Sequence, residues 1–192
     1  MDPVFTLPYP EYVVAGELAK LLPKARGYSV NLPLSRQQQG FDLLVYSFGS
    51  RKAATIQIKS SRAYPQRPPK RESIRPRFRY TFWFNNFKHK KGAADFYFLF
   101  GLYPLPSSPD KRLNRSRKPG EWSDWKILVF SDSEMKNFLH SVSSKSGKSD
   151  RFFAFGFNEK SPEIILTRGG DATHFEKFLL KHRTRELKTF LK

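Results

Sequence analysis

Two short runs in this chain can pair with each other in only one register that keeps their apolar residues together. Residues 41 to 47 and 52 to 59 both alternate with the period of two expected of half-buried strands. Phe48-Gly49-Ser50-Arg51 between them reads as a short turn with the glycine such turns favour. If the hairpin turns midway between Gly49 and Ser50, residues equidistant from that point stand opposite one another. Leu43 then faces Ile56 and Val45 faces Ala54, so one side is apolar. The other side brings Asp42 opposite Gln57, with Lys59 two residues further along. A slip of one residue would put the whole apolar set into water, which is why the register is well specified.

The remaining segments place this hairpin in an α/β chain. Residues 11 to 22 set Val14, Leu18 and Leu21 at helical spacing and stop at Pro23, predicting a first helix with Glu17 beside its apolar stripe. Residues 28 to 34 read as a short edge strand, because Pro33 cannot donate to a central ladder. Aromatic strands are predicted over 78 to 84 and 94 to 103, the second a nearly continuous apolar run suited to the middle of a sheet. Residues 125 to 130 read as another strand, and Ser131 with Glu134 as a capping box opening a helix to about residue 143. Strands near 151 to 157 and 162 to 167 follow, and Arg168-Gly169-Gly170-Asp171 reads as a turn and the N-cap of a last helix. Residues 60 to 77 and 104 to 124 are rich in proline and basic side chains and read as long loops. At 192 residues, with no internal repeat, residues 1 to 192 are expected to form one domain, a mixed β-sheet flanked by helices.

The chain carries 35 Lys and Arg against 17 Asp and Glu, a formal net charge of +18. Charge of that size attracts a polyanion and costs self-repulsion without one, which makes nucleic acid the leading partner. Residues 51 to 91 hold thirteen Lys and Arg against a single acid, Glu72, and so contribute +12 of that total. The basic loop leaves the end of the strand that carries Lys59. Arg62, Arg67, Lys70, Arg71, Arg75 and Arg77 are therefore the expected contacts to backbone phosphates, with Tyr64 placed to stack on a base or sugar. A membrane surface competes as an explanation of the charge, but no long basic amphipathic helix or lipidation motif accompanies it. The longest apolar stretch, 93 to 105, is short and contains Asp95, and Met1-Asp2-Pro3-Val4-Phe5 lacks the pattern of a signal peptide. A cytoplasmic protein is expected.

A carboxylate, an amide carbonyl and an ammonium converging at one end of a strand pair suit phosphodiester hydrolysis, in which negative charge builds on the phosphate and a water has to be activated and aimed. Magnesium, or manganese in its place, serves both needs with hard oxygen ligands and several retained waters. Asp42 is the expected anchoring ligand, with the side-chain oxygen of Gln57 and the backbone carbonyl of Ile58 beside it and Glu17 as a candidate further carboxylate. Lys59 would orient or deprotonate the water, or neutralise the developing charge. The absence of cysteine removes thiolate zinc sites and cysteine nucleophiles, and His89, His140, His174 and His182 have no zinc-site spacing. Arg168-Gly169-Gly170-Asp171 is not followed by the G-K-[ST] of a phosphate-binding loop.

The run Gly40-Phe41-Asp42-Leu43-Leu44-Val45 followed by Ile56-Gln57-Ile58-Lys59 resembles the D-x(n)-(E/Q)-x-K core of the PD-(D/E)XK nuclease superfamily. Its glutamine form is similar to that of the methyl-directed, Mrr-like restriction nucleases. The preceding helix with an acid, Glu17, and the later strand Ala94-Asp95-Phe96-Tyr97 also resemble that superfamily, which includes Holliday-junction resolvases. The resemblance spans residues 10 to 105 or so. It implies a restriction-endonuclease-like mixed sheet flanked by helices, an endonuclease that uses magnesium and acts on DNA rather than RNA, and a homodimer where both strands are cut. One departure is Gln57, where most members carry an acid; a neutral group lowers the charge of the site and its hold on a metal. A catalytically inactive nucleic-acid-binding module on the same fold is the alternative reading, and a basic membrane-surface protein a third.

Overall fold

The hairpin forms in the expected register. In the computed structural model, which describes residues 9–33, 40–65, 78–85, 87, 89–105, 123–142, 152–171 and 173–192, β2 (Leu43–Ser47) and β3 (Lys52–Arg62) pair antiparallel, Leu43 opposite Ile56 and Val45 opposite Ala54. Its turn is built differently from the expectation. The left-handed residue is Arg51, with φ of 57°, and not Gly49. β1 (Tyr28–Asn31) pairs with the outer side of β2 as the edge strand, and Pro33 lies beyond its end.

On the far side of β3, β6 (Phe96–Pro104) runs parallel to it and β7 (Ser123–Ser131) antiparallel to β6, giving a five-stranded mixed sheet in the order β1-β2-β3-β6-β7. A parallel pair needs a crossover, and here the crossover does not use a helix among the described residues. It contributes β4 (Tyr64–Pro65) and β5 (Tyr80–Phe84) to a second sheet, completed later by β8 (Phe153–Phe157) and β9 (Ile164–Arg168) in the order β4-β5-β8-β9. The single sheet expected from sequence is thus two. The loop expected from residue 60 starts later, because β3 continues to Arg62 and β4 follows at once. Most of the predicted loops lie outside the described residues.

Three helices pack on this frame. α1 (Tyr9–Leu21) and α3 (Leu180–Phe190) cover one face of the first sheet, where Val14, Leu18, Leu180 and Leu187 meet Leu43, Ile56, Phe98 and Val129. The opposite face meets the second sheet and α2 (Asp132–Ser141), where Tyr97, Leu99 and Phe130 pack on Phe82, Phe155, Met135 and Phe138. Period-two alternation in β6 and β7 sorts their residues between these two cores. The rings of the second core interlock: Phe155 lies 5.4 Å from Phe82 and 5.0 Å from Phe175, centroid to centroid. The sheets approach so closely at Gly101 that a Cβ there would stand 2.8 Å from the Phe82 ring.

The capping box of α2 is present. Ser131 Oγ accepts from the Glu134 N–H, and Glu134 Oε2 accepts from the Ser131 N–H. The last helix corrects the sequence reading. It begins at Leu180 and not near Asp171, because Gly169, with φ of 103°, turns the chain back along β9. The N–H of Leu166 then donates to Thr173 O and that of Phe175 to Ile164 O, so residues 173 to 175 extend the sheet before helix starts.

Candidate functional site

β3 is longer than β2, and this mismatch builds the site. β2 begins at Leu43, opposite Ile56, while β3 continues to Arg62 with β6 alongside it. From residue 57 onward the other edge of β3 therefore loses its regular partner, and a buried N–H without an acceptor would be costly. Asp42 fills the gap. Its N–H donates to Ile56 O at 2.8 Å, and its Oδ2 accepts the Ile58 N–H at 2.6 Å. A carboxylate thus stands in for the missing strand at Ile58, between Gln57 and Lys59. In an extended strand the carbonyl of a residue points along the same edge as its N–H, so the Ile58 carbonyl is directed to Asp42's side of β3.

Gln57 and Lys59 rise from one face of β3, together with Thr55, while Ile56 and Ile58 are buried on the other. The face that carries them is the one covered further along by the second sheet. Tyr97 and Leu99, their neighbours on β6, are fully buried, but Leu44, Thr55, Gln57 and Lys59 are only half-buried. The result is a shelf open to solvent beside a packed interior. Burial lifts the Asp42 carboxyl above its ordinary pKa, and the Ile58 N–H and the Lys59 ammonium counter only part of that rise. The ionised form at this edge is thus short of positive partners.

Two acids that the sequence reading did not single out support the shelf from below. Asp95, just before β6, accepts at Oδ2 from the Thr55 N–H at 2.8 Å and from Thr55 Oγ1 at 2.7 Å, fixing the start of β6 against β3. Asp132 pairs with His89 Nε2 at 2.7 Å, and the His89 ring lies 5.2 Å from that of Tyr97, the β6 partner of Gln57. The sequence held one signal for the first of these: Thr55 and Gln57 share a face, and an acid stands at the start of the strand that pairs with them.

Glu17 is not brought to Asp42. It sits on α1, which packs on the opposite face of the sheet, pairs with Lys20 at 2.7 Å and lines a hollow with Trp125 and Lys126 of β7. Among the described residues no three His, Asp or Glu side chains gather as a metal cluster. Of the expected phosphate contacts, Arg62 is exposed at the end of β3. Tyr64 is described by its backbone alone, paired with Thr81, and Arg67, Lys70, Arg71, Arg75 and Arg77 lie outside the described residues. No helix among the described residues is long and apolar enough to cross a membrane.

The donors at the β3 edge are all hard oxygens: one carboxylate, one amide and one backbone carbonyl. That set fits magnesium, which is commonly held by one or two carboxylates and completed by water and substrate phosphates. It is too sparse for a closed, all-protein cage. No family model matches the chain, and no curated protein matches it in sequence. Among solved structures, a bacterial homing endonuclease is distantly similar, with 15% identity and a TM-score of 0.32 over 65% of this chain and 69% of that one.

Proposed function

We propose that this protein binds DNA and hydrolyses its phosphodiester backbone at the open end of the β2–β3 hairpin. The observation that carries the reading is the Asp42 carboxylate at the free edge of β3, between Gln57 and Lys59. Asp42, the Gln57 amide and the Ile58 carbonyl would hold a magnesium or manganese ion that substrate phosphates complete. When bound, the ion neutralises charge on the phosphate and lowers the pKa of water. Lys59 contributes the other cation, placed to orient the attacking water or to offset charge that develops on the phosphate. Its proximity already counters part of the raised pKa of Asp42, so the pair is electrostatically coupled before substrate arrives. The net charge of +18 supplies attraction to any polynucleotide and Arg62 a local contact beyond Lys59.

The test is a cleavage assay on supercoiled, linear, single-stranded and four-way DNA with magnesium or manganese. Nicking or cutting is expected in one of these forms, and Asp42→Ala should reduce it by at least about 100-fold while DNA binding survives. Absence of cleavage of every form in both metals would remove the reading. The neutral Gln57, with a single carboxylate at the edge, favours a second one, a binding module without catalysis on the same frame. That reading predicts steep salt dependence, with each phosphate contact adding about 0.9 to the log-log slope, and no effect of metal.

A further inference from the structure

Along β3 from Lys59, a hollow of about 440 Å³ opens between the two sheets' margins, lined by Ser60, Ser61, Arg62, Trp83, Asn85 and Phe152. We propose that it receives one unstacked nucleobase of DNA. This rests on the nuclease reading above and adds to it the form of the substrate: single-stranded DNA, or a duplex with a base displaced at a bulge or branch.

Trp83 carries the argument. Its strand neighbours Phe82 and Phe84 are buried in the core between the sheets, whereas Trp83 points outward and is 47% exposed. A large aromatic left in water on a strand is costly unless something covers its face, and a nucleobase is a flat ring that stacks without regard to sequence. The Phe152 ring meets Trp83 at 6.0 Å and 50°, which makes the aromatic wall angled and not flat. The Arg168 guanidinium stands 4.4 Å above the Phe152 ring, adding a cation at the rim opposite Arg62. Ser60 and Asn85 offer hydrogen-bonding groups to a base edge.

The hollow is also tied to the shelf. The Trp83 N–H donates to Ser61 Oγ at 3.2 Å, so β5 and β3 are joined at this point and the aromatic wall stands on strands. Ser61 lies two residues beyond Lys59 on the same face of β3, about 7 Å away at the rise of a strand. A base seated against Trp83 would thus leave its own backbone beside Lys59 and Asp42. A base stacked within a paired duplex cannot reach the hollow, and this selects the form of DNA.

The experiment measures binding without metal to a paired duplex, the same duplex with one extrahelical 2-aminopurine, and the corresponding single strand, with Trp83→Ala and Trp83→Phe beside the wild type. Wild type is expected to bind the two forms with an available base more tightly than the paired duplex and to quench the 2-aminopurine. Trp83→Ala should weaken those two by about 5- to 150-fold, with paired duplex nearly unchanged, and Trp83→Phe should keep most of the preference. Equal loss on all three DNAs, or no loss on any, overturns the proposal, provided circular dichroism shows Trp83→Ala folded; if it is not, the Trp83→Phe result and the wild-type preference decide. Cleavage by wild type and Asp42→Ala in magnesium is read separately. Base-dependent binding without cleavage would reject the nuclease reading and leave the hollow standing, and cleavage without base-dependent binding would do the reverse.

Discussion

One face of the first sheet is used in two opposite ways. Over β6 and β7, Tyr97, Leu99, Leu128 and Phe130 are sealed beneath the phenylalanine-rich second sheet, while over β2 and β3 the same face leaves Leu44, Thr55, Gln57 and Lys59 half in water. The covered half removes apolar area from water and holds the domain together, because buried aromatic surface is the largest favourable contribution a chain of this size can make. The open half carries a lone, under-compensated carboxylate and so works against stability. The sheet therefore separates the residues that keep it folded from those that give it a chemistry, along a boundary that runs between β3 and β6.

Substitutions on the two sides should rank accordingly. On the covered side Phe155→Ala removes a fully buried ring and should cost about 3–5 kcal/mol in urea denaturation, the largest effect of the series. Gly101→Ala drives a methyl group into the Phe82 ring and should cost about 1–3 kcal/mol, read the same way. On the open side the sign reverses for Asp42→Asn. The folded-state pKa of this carboxyl is raised, so the folded protein binds that proton more tightly than the unfolded chain, and stability from it is lost as pH rises through the titration. Asp42→Asn should melt above wild type at pH 7, with the gap closing in acid as the wild-type carboxyl becomes protonated; a lower melting temperature at pH 7 would contradict the boundary. Lys59→Ala should have the smallest effect on folding, within about 0.5 kcal/mol. Its DNA cleavage should nevertheless fall by about 10²- to 10⁴-fold, which would separate chemistry from stability at a single residue.

The open half was the more legible of the two in the sequence. Strict alternation over residues 43 to 47 and 52 to 58, bounded by a short turn, leaves one sensible pairing, and Leu43 does stand opposite Ile56. Alternation fails in the covered half. Phe153–Phe157 is buried at every position, so its pattern says nothing about which strand lies beside it or that β5 and β8 form a sheet of their own. The sequence also could not reveal that Asp42 would replace a missing strand, since that depends on β2 ending one residue short of it. Glu17 was read from helical spacing, which fixes the face of a helix but not the side of the sheet on which the helix lies. The start of the last helix was misplaced because a glycine pair before an acid suits an N-cap and a tight return equally; the bond from the Phe175 N–H to Ile164 O decides for the return.

The tip of the hairpin has its own anchor. The Ser50 hydroxyl donates to the carbonyl of Leu191, which directly follows α3, and Phe190 of that helix sets its ring edge-on against Phe96, 5.2 Å away. β2 and β3 leave the ribosome early, but the clamp on their turn is synthesised after all nine strands. Assembly of the hairpin in its final position must then wait for one of the latest parts of the chain, and a nascent polypeptide that has already made Asp42, Gln57 and Lys59 still lacks the piece that holds their turn in place.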